Sequence, residues 1–165
     1  LEINGKKIIN YHLDMLNQKG FKKVTIAVGY LKELFTQHIG EKYRNLDIDY
    51  AISDDYESTG HSWSLFLTKD NWLKEKKPVI LIHADVFHDP RLIDKIVDSK
   101  NEDLVSVDNS CKLVALDKCL VRGEKNKVMS LTIGDASENH VVGEFIGGIA
   151  NLGGRRRNSS HRLIV

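Results

Sequence analysis

The 165-residue sequence contains only two cysteines, Cys111 and Cys119, and no segment that reads as a secretory leader. Two thiols are too few for an ordinary structural zinc site, and without a leader a disulfide framework is not expected. Both cysteines are read as reduced, structural thiols. Charge of one sign is also missing: 24 Lys and Arg face 23 Asp and Glu, a formal net charge of +1. No global field therefore draws the chain to nucleic acid or to a membrane surface. No apolar run approaches the roughly 18 residues of a membrane span. A Walker phosphate loop and a G-x-G-x-x-G turn are both absent, as is any defensible Ser/His/Asp or Cys/His arrangement. These absences favour a cytoplasmic protein with no nucleic-acid or membrane partner, and no covalent enzyme nucleophile.

What is present is an ordinary globular mixture, 41% hydrophobic and 28% charged. The length suits one domain, which can bury roughly 70% of the surface exposed by the unfolded chain. Apolar residues recur near a 3.6 period over residues 8–19 (Ile8, Ile9, Leu13 and Leu16, with His12 on the same stripe), and Gly20 supplies a stop. Residues 23–28 form a short β-branched run bounded by Gly20 and Gly29, as a buried strand does. A helix over 31–39 ends at Gly40, and residues 47–52 alternate as a strand. After a polar loop, a helix is expected over 62–73, then a strongly apolar strand over 78–83. Asp89 and Pro90 read as cap and first residue of a helix through 97, followed by a strand at 104–107.

Helical and strand patterns thus alternate, which predicts an α/β layered fold with a mostly parallel sheet. Shorter strand-like pieces follow near 112–116, 127–131 and 145–150. Residues 1–150 form the expected core. Residues 151–165, with Gly153, Gly154 and three arginines at 155–157, are polar, basic and aperiodic, and are expected to be a tail without regular structure.

In an open parallel sheet, ligands bind beyond the carboxyl ends of the strands. Asp85 ends the most apolar strand, where a partly shielded carboxylate suits Mg²⁺ or the cap of a loop. His83, Asp85, His88 and Asp89 lie close enough in sequence to suggest a transition-metal cluster, against which stands a buried His83 with His88 and Asp89 in a turn and helix start. Thr59, Gly60, His61 and Ser62 precede a helix whose free N–H groups can meet a phosphate, or which they simply cap. Trp63 and Trp72 read as helix packing. Gly143 and Glu144 open an apolar strand, where a glycine admits close backbone approach and a carboxylate accepts from hydroxyls.

Five segments in order resemble one family. Leu1-Glu2-Ile3-Asn4-Gly5-Lys6-Lys7-Ile8-Ile9-Asn10-Tyr11-His12-Leu13 resembles an L-x-G-K-P-I-I-x-Y-x-L segment, with Lys7 in the proline position. Val28-Gly29-Tyr30 resembles its next strand and G-Y turn. Tyr56 to Leu65 resembles Y-x-x-T-N-x-x-S-L, with Gly60 for asparagine. Ile82-His83-Ala84-Asp85-Val86 resembles L-x-G-D-V, with Ala84 for glycine, and Gly143-Glu144-Phe145-Ile146-Gly147 resembles G-E-F-I-G. The family is that of sugar-phosphate nucleotidyltransferases and the related phosphocholine-type cytidylyltransferases.

The resemblance implies a three-layer, Rossmann-like α/β domain with a mostly parallel mixed sheet. It implies Mg²⁺-dependent transfer of a nucleotidyl group from an NTP to a phosphate monoester, with release of pyrophosphate. Asp85 would hold the metal, Lys6 would lie near the phosphates, residues 59–62 would meet the nucleotide, and Gly143 and Glu144 the acceptor. Members of the family begin with a strand and a G-x-G-T-R loop and end with a second metal-binding aspartate. Neither matches here, and Ile133-Gly134 is followed by Asp135 where lysine is common. The expectation is a core cut short at both ends, with impaired catalysis. Two other readings remain: a metal-dependent hydrolase built on the His83/Asp85/His88/Asp89 cluster, and a non-catalytic nucleotide-binding module.

Overall fold

The computed structural model describes residues 1–73, 79–99, 104–108, 119–124, 127–133, 141–150 and 162–164. A hairpin of β1 (Glu2–Ile3) and β2 (Lys6–Lys7) leads into α1 (Ile8–Gln18). Then come β3 (Lys23–Val28), α2 (Lys32–Ile39), β4 (Lys42–Tyr43), β5 (Leu46–Ile52), α3 (His61–Leu67) and α4 (Lys69–Leu73). The second half holds β6 (Val79–Leu81), α5 (Pro90–Asp98), β7 (Leu104–Asp108), β8 (Cys119–Glu124), β9 (Lys127–Ile133), β10 (Val141–Ala150) and β11 (Arg162–Ile164).

Local chemistry explains the boundaries. Asn4 and Gly5 both have positive φ, +50° and +73°, as the two-residue turn of a twisted hairpin requires. At the end of α1 the Phe21 N–H reaches the Leu16 carbonyl and the Gly20 N–H reaches Asn17, both at 3.1 Å. Gly20 takes φ +78°, so the helix ends in a Schellman motif. Asp89 caps α5 by accepting from the Arg91 N–H at 2.9 Å, with Pro90 in the first turn. Residues 62–73, expected as one helix, form α3 and α4. Buried Thr68 breaks them, its hydroxyl donating to the Leu65 carbonyl at 2.7 Å instead of facing solvent.

Strands β5, β3, β11 and β6 lie side by side and parallel. Strand β10 pairs antiparallel with β6, β7 and β8, β8 pairs antiparallel with β9, and β4 pairs antiparallel with β5. The sheet is therefore mixed, as expected, but less parallel than expected: a parallel centre with antiparallel flanks. Residues 151–165 were expected to lack regular structure, yet Arg162–Ile164 form β11 between β3 and β6. The strand expected at 112–116 lies outside the described residues.

Helical residues meet both faces of this sheet. Val24, Ile26 and Val28 of β3 join one apolar cluster with Leu13 and Leu16 of α1, Ile39 of α2, and Ile93 and Ile96 of α5. On the other face of β3, Thr25 accepts from the Asn71 side chain of α4 at 3.2 Å. Among the described residues no helix is long and apolar enough to cross a membrane. Leu13 is fully buried in the cluster. Leu13→Ala should therefore lower the unfolding free energy by about 2–5 kcal/mol, seen as a lower urea midpoint with an unchanged m value. An unchanged midpoint would mean α1 does not pack on this core.

Candidate functional site

After β3 the chain moves outward to β5, then returns past β3 to build β6 on its other side. Such a reversal opens a crevice at the carboxyl ends of the strands, because the two connections leave in opposite directions. A cavity of about 400 Å³ lies there. Leu31, Leu34, Phe35 and His38 come from the segment after β3, and Ala84 and Asp85 from the turn after β6. The hairpin and the start of α1 add Leu1, Glu2, Lys7, Ile8 and Ile9. The result is an apolar floor bordered by two exposed carboxylates, Glu2 and Asp85, and one exposed ammonium, Lys7.

Asp85 stands where the sequence placed it, past the end of β6, although β6 stops at Leu81. Residues 82–85 continue as irregular chain, and the Val86 N–H closes a turn on the His83 carbonyl at 3.3 Å. Among the described residues the Asp85 carboxylate has no ion-pair partner. Lys6 is elsewhere: its ammonium bonds Asp14 at 2.5 Å and lies 4.3 Å from the Tyr11 ring centroid. Strand alternation turns Lys6 away from Lys7, so Lys7 lines the cavity and Lys6 does not. Asp14 also accepts from the Tyr43 hydroxyl at 3.0 Å and from Arg44 at 2.9 Å. Burial pushes the Asp14 carboxyl up, but hydrogen bonds from Lys6 and Tyr43 and the nearby cations outweigh it and hold it below its usual value.

Thr59 donates its hydroxyl to the Asp55 carbonyl at 2.7 Å, and the Gly60 carbonyl accepts from the Trp63 N–H at 3.0 Å to start α3. Ser62 is exposed, and the His61 side chain lies outside the described residues. These residues follow β5, on the same edge as the cavity, but none of their described side chains lines it. Gly143 pairs with Val121, and Glu144 with Leu120 and Asp108. Since Gly148 lies opposite Leu81, the 143–144 end of β10 runs toward the same edge as Asp85.

Beside the cavity, Gly29 admits the Tyr56 side chain: a Cβ there would stand 2.6 Å from the Tyr56 Cβ. Lys32 bridges to Asp54 at 2.6 Å, tying α2 to the end of β5.

The transition-metal cluster does not form. Among the described residues no group of three His, Cys, Asp or Glu side chains is gathered for a metal ion. Asp89 is bound by the Arg91 guanidinium, at 2.5 Å from one nitrogen, as well as by the Arg91 N–H. Those bonds hold its carboxyl at about 2. His88 is buried, its ring 5.6 Å from that of His12. Helix capping and burial have taken these side chains for structure.

Sequence reasoning missed Glu2, Lys7, Leu31, Phe35 and His38. The Asn4-Gly5 pair was the available signal, since a hairpin there sets Glu2 opposite Lys7. It also left His12 as one residue of an apolar stripe. His12 is 2% exposed, and burial, followed by the charge of His88, lowers its pKa to about 4 against the opposing pull of the main chain at Val86 and Ala84. His88 is lowered too, by burial and then by His83.

Both folded-state values lie below the ordinary 6.5, so the unfolded chain takes up protons first as the pH falls. Stability should be constant above about pH 7 and decline from pH 6.5 toward 4, with His12 contributing roughly 3 kcal/mol of that loss. Urea midpoints at pH 7.5, 5.5 and 4.5 check this. His12→Leu should flatten the slope, and an equal slope in the variant would contradict the assignment.

No protein-family model matches the chain. It is 31% identical over 118 residues to a CTP:phosphoglutamine cytidylyltransferase of Campylobacter jejuni, covering 68% of this chain and 45% of that protein. Over 70 residues it is 34% identical to a choline-phosphate cytidylyltransferase of Streptococcus pneumoniae, covering 42% of the chain and 29% of that protein. Over 62 residues it is 34% identical to a UTP–glucose-1-phosphate uridylyltransferase of Haloferax volcanii, covering 38% and 26%. The chain spans less than half the length of these curated relatives.

Proposed function

Because the chain belongs to the family of sugar-phosphate and phosphocholine-type nucleotidyltransferases, we propose that its crevice binds an NTP and serves transfer of the nucleotidyl group to a phosphate monoester, with release of pyrophosphate. We read the helices on both sheet faces as the three-layer, Rossmann-like arrangement of that family. The observation that carries the reading is a solvent-open carboxylate, Asp85, bordering the crevice that the strand reversal creates.

The residues present fit Mg²⁺. A hard cation takes oxygen donors, and Mg²⁺ uses one or two protein carboxylates while keeping positions for water and phosphate. Asp85 supplies one such carboxylate, and Glu2 borders the same cavity. When bound, the ion would neutralise charge on the phosphates as the α-phosphorus changes partners. The rest is positioning by this chain. Lys7 is better placed than Lys6 to meet a phosphate, since the Lys6 ammonium is held by Asp14. The apolar floor from α2 and α1 excludes water beneath the ligand. On this reading residues 59–62, past the end of β5, would meet the nucleotide, and Gly143 and Glu144, at the same edge of the sheet in β10, would meet the acceptor. A cytoplasmic setting accompanies an NTP substrate.

Thermal denaturation with Mg²⁺ and each of CTP, UTP, GTP and TTP tests this reading. One nucleotide at a hundredfold its Kd should stabilise the fold by about 2.7 kcal/mol, a Tm rise of a few degrees, and Asp85→Asn should remove most of it. Equal Tm values with all four, or a shift that survives Asp85→Asn, would count against it. Lys7→Ala should weaken nucleotide binding more than Lys6→Ala; the reverse order would return Lys6 to the site.

A further inference from the structure

Two chain segments bring charged groups to the crevice, and one side chain touches both. The hairpin brings Glu2 and Lys7, and the turn after β6 brings Asp85. Tyr11, in the first turn of α1, stands between them. Its hydroxyl donates to the Ile3 carbonyl of the hairpin at 3.1 Å. Its ring meets Phe87, two residues past Asp85, edge to face with centroids 5.3 Å apart. The Lys6 ammonium lies 4.3 Å from the centroid of the same ring and is bound by Asp14, one helical turn along α1. Tyr11 does not itself line the cavity.

A hairpin with two residues in each strand cannot hold its own shape, so it must be fastened from outside. The Tyr11 hydroxyl, the Lys6 bond to Asp14, and the Ile8 N–H donating to the Leu1 carbonyl at 3.1 Å all fasten it to α1. That helix is fixed in turn, since Ile9, Leu13 and Leu16 belong to the core. Ile3 and Lys6 are cross-strand partners, as are Glu2 and Lys7, and the two pairs face opposite ways. Holding the first pair against α1 therefore presents the second to the cavity. Phe87 is 53% exposed, so its contact with the Tyr11 ring restrains it more than burial does.

We propose that Tyr11 is a positioning residue for the nucleotide site, its hydroxyl setting the hairpin so that Lys7 meets the phosphates and its ring setting the turn that bears Asp85. This rests on the reading of the crevice as an NTP site. One rigid side chain thereby fixes the spacing between a cation on the hairpin and a carboxylate on the turn. Groups that contact a ligand need neighbours that hold their geometry, because a displacement of about 1 Å weakens every bond they make.

The test is calorimetric titration with CTP, UTP, GTP and TTP in the presence of Mg²⁺, continued with the nucleotide that the native chain binds tightest. Circular dichroism confirms that each variant is folded at the titration temperature. Tyr11→Phe removes the hydroxyl and keeps the ring, and should raise the Kd by about fivefold, the loss of one hydrogen bond. Lys7→Ala should raise the Kd as well, and Tyr11→Phe added to it should cost nothing further, because the hydroxyl acts through Lys7. A merely structural hydroxyl would instead give the same factor in both backgrounds, and that result overturns its role. Tyr11→Leu removes the ring too and should cost more than Tyr11→Phe. Phe87→Ala should weaken binding in the native chain and add nothing to Tyr11→Leu. Native affinity in Phe87→Ala, an exposed position where folding is not at stake, overturns the role of the ring. Affinity indifferent to both Lys7→Ala and Asp85→Asn, or no nucleotide bound by the native chain, removes the site reading and the proposal together.

Discussion

Strand β3 is the constraint around which the molecule is arranged. It has parallel neighbours on both edges, β5 and β11, and helical residues on both faces. A parallel neighbour cannot be reached by a tight turn, so each connection must cross over. Those crossovers bring the carboxyl ends of β3, β5 and β6 to one edge. Because β5 and β6 lie on opposite sides of β3, the connections diverge there and leave a crevice. The fold makes a crevice before any polar side chain is considered, and the side chains at that edge give it its chemistry.

Much of the first half was legible because its elements are short, periodic and well punctuated. The stripe of Ile8, Leu13 and Leu16, the glycines at 20 and 40, and the Asp89-Pro90 start each carry a local physical meaning that tertiary structure did not override. What was illegible depends on partners distant in sequence. Strand β4 exists because Lys42 and Tyr43 lie against Asp47 and Leu46, and two residues leave no periodicity to read. Strand β11 exists because a slot between β3 and β6 takes an extended segment, and nothing about Arg162–Ile164 in isolation announces it. The break at Thr68 similarly comes from burial of a hydroxyl that a surface helix would have turned to water.

The site divides in the same way. Asp85 was visible as a carboxylate at the end of an apolar run. Glu2 and Lys7 were not, since they enter only after the Asn4-Gly5 hairpin folds them over the crevice. Lys6 was chosen over Lys7 from sequence, but the alternation of a two-residue strand sends one to Asp14 and the other to the cavity. The dense His and Asp segment at 83–89 looked like a metal cluster and is mostly scaffolding: Asp89 caps a helix, and His88 packs on His12. Sequence density brings donors near one another along the chain, whereas coordination needs them to converge in space.

The central claim is that metal and nucleotide meet at the crevice beside Asp85. Paramagnetic broadening of amide signals by Mn²⁺ with the bound nucleotide tests it most directly, because it locates the ion without relying on turnover. Loss of signal is expected first at residues 84–86, then at 2–9 and 29–35, with the Asp14, Tyr43 and Arg44 cluster spared. Broadening centred on that cluster, or spread evenly over the surface carboxylates, would contradict the account.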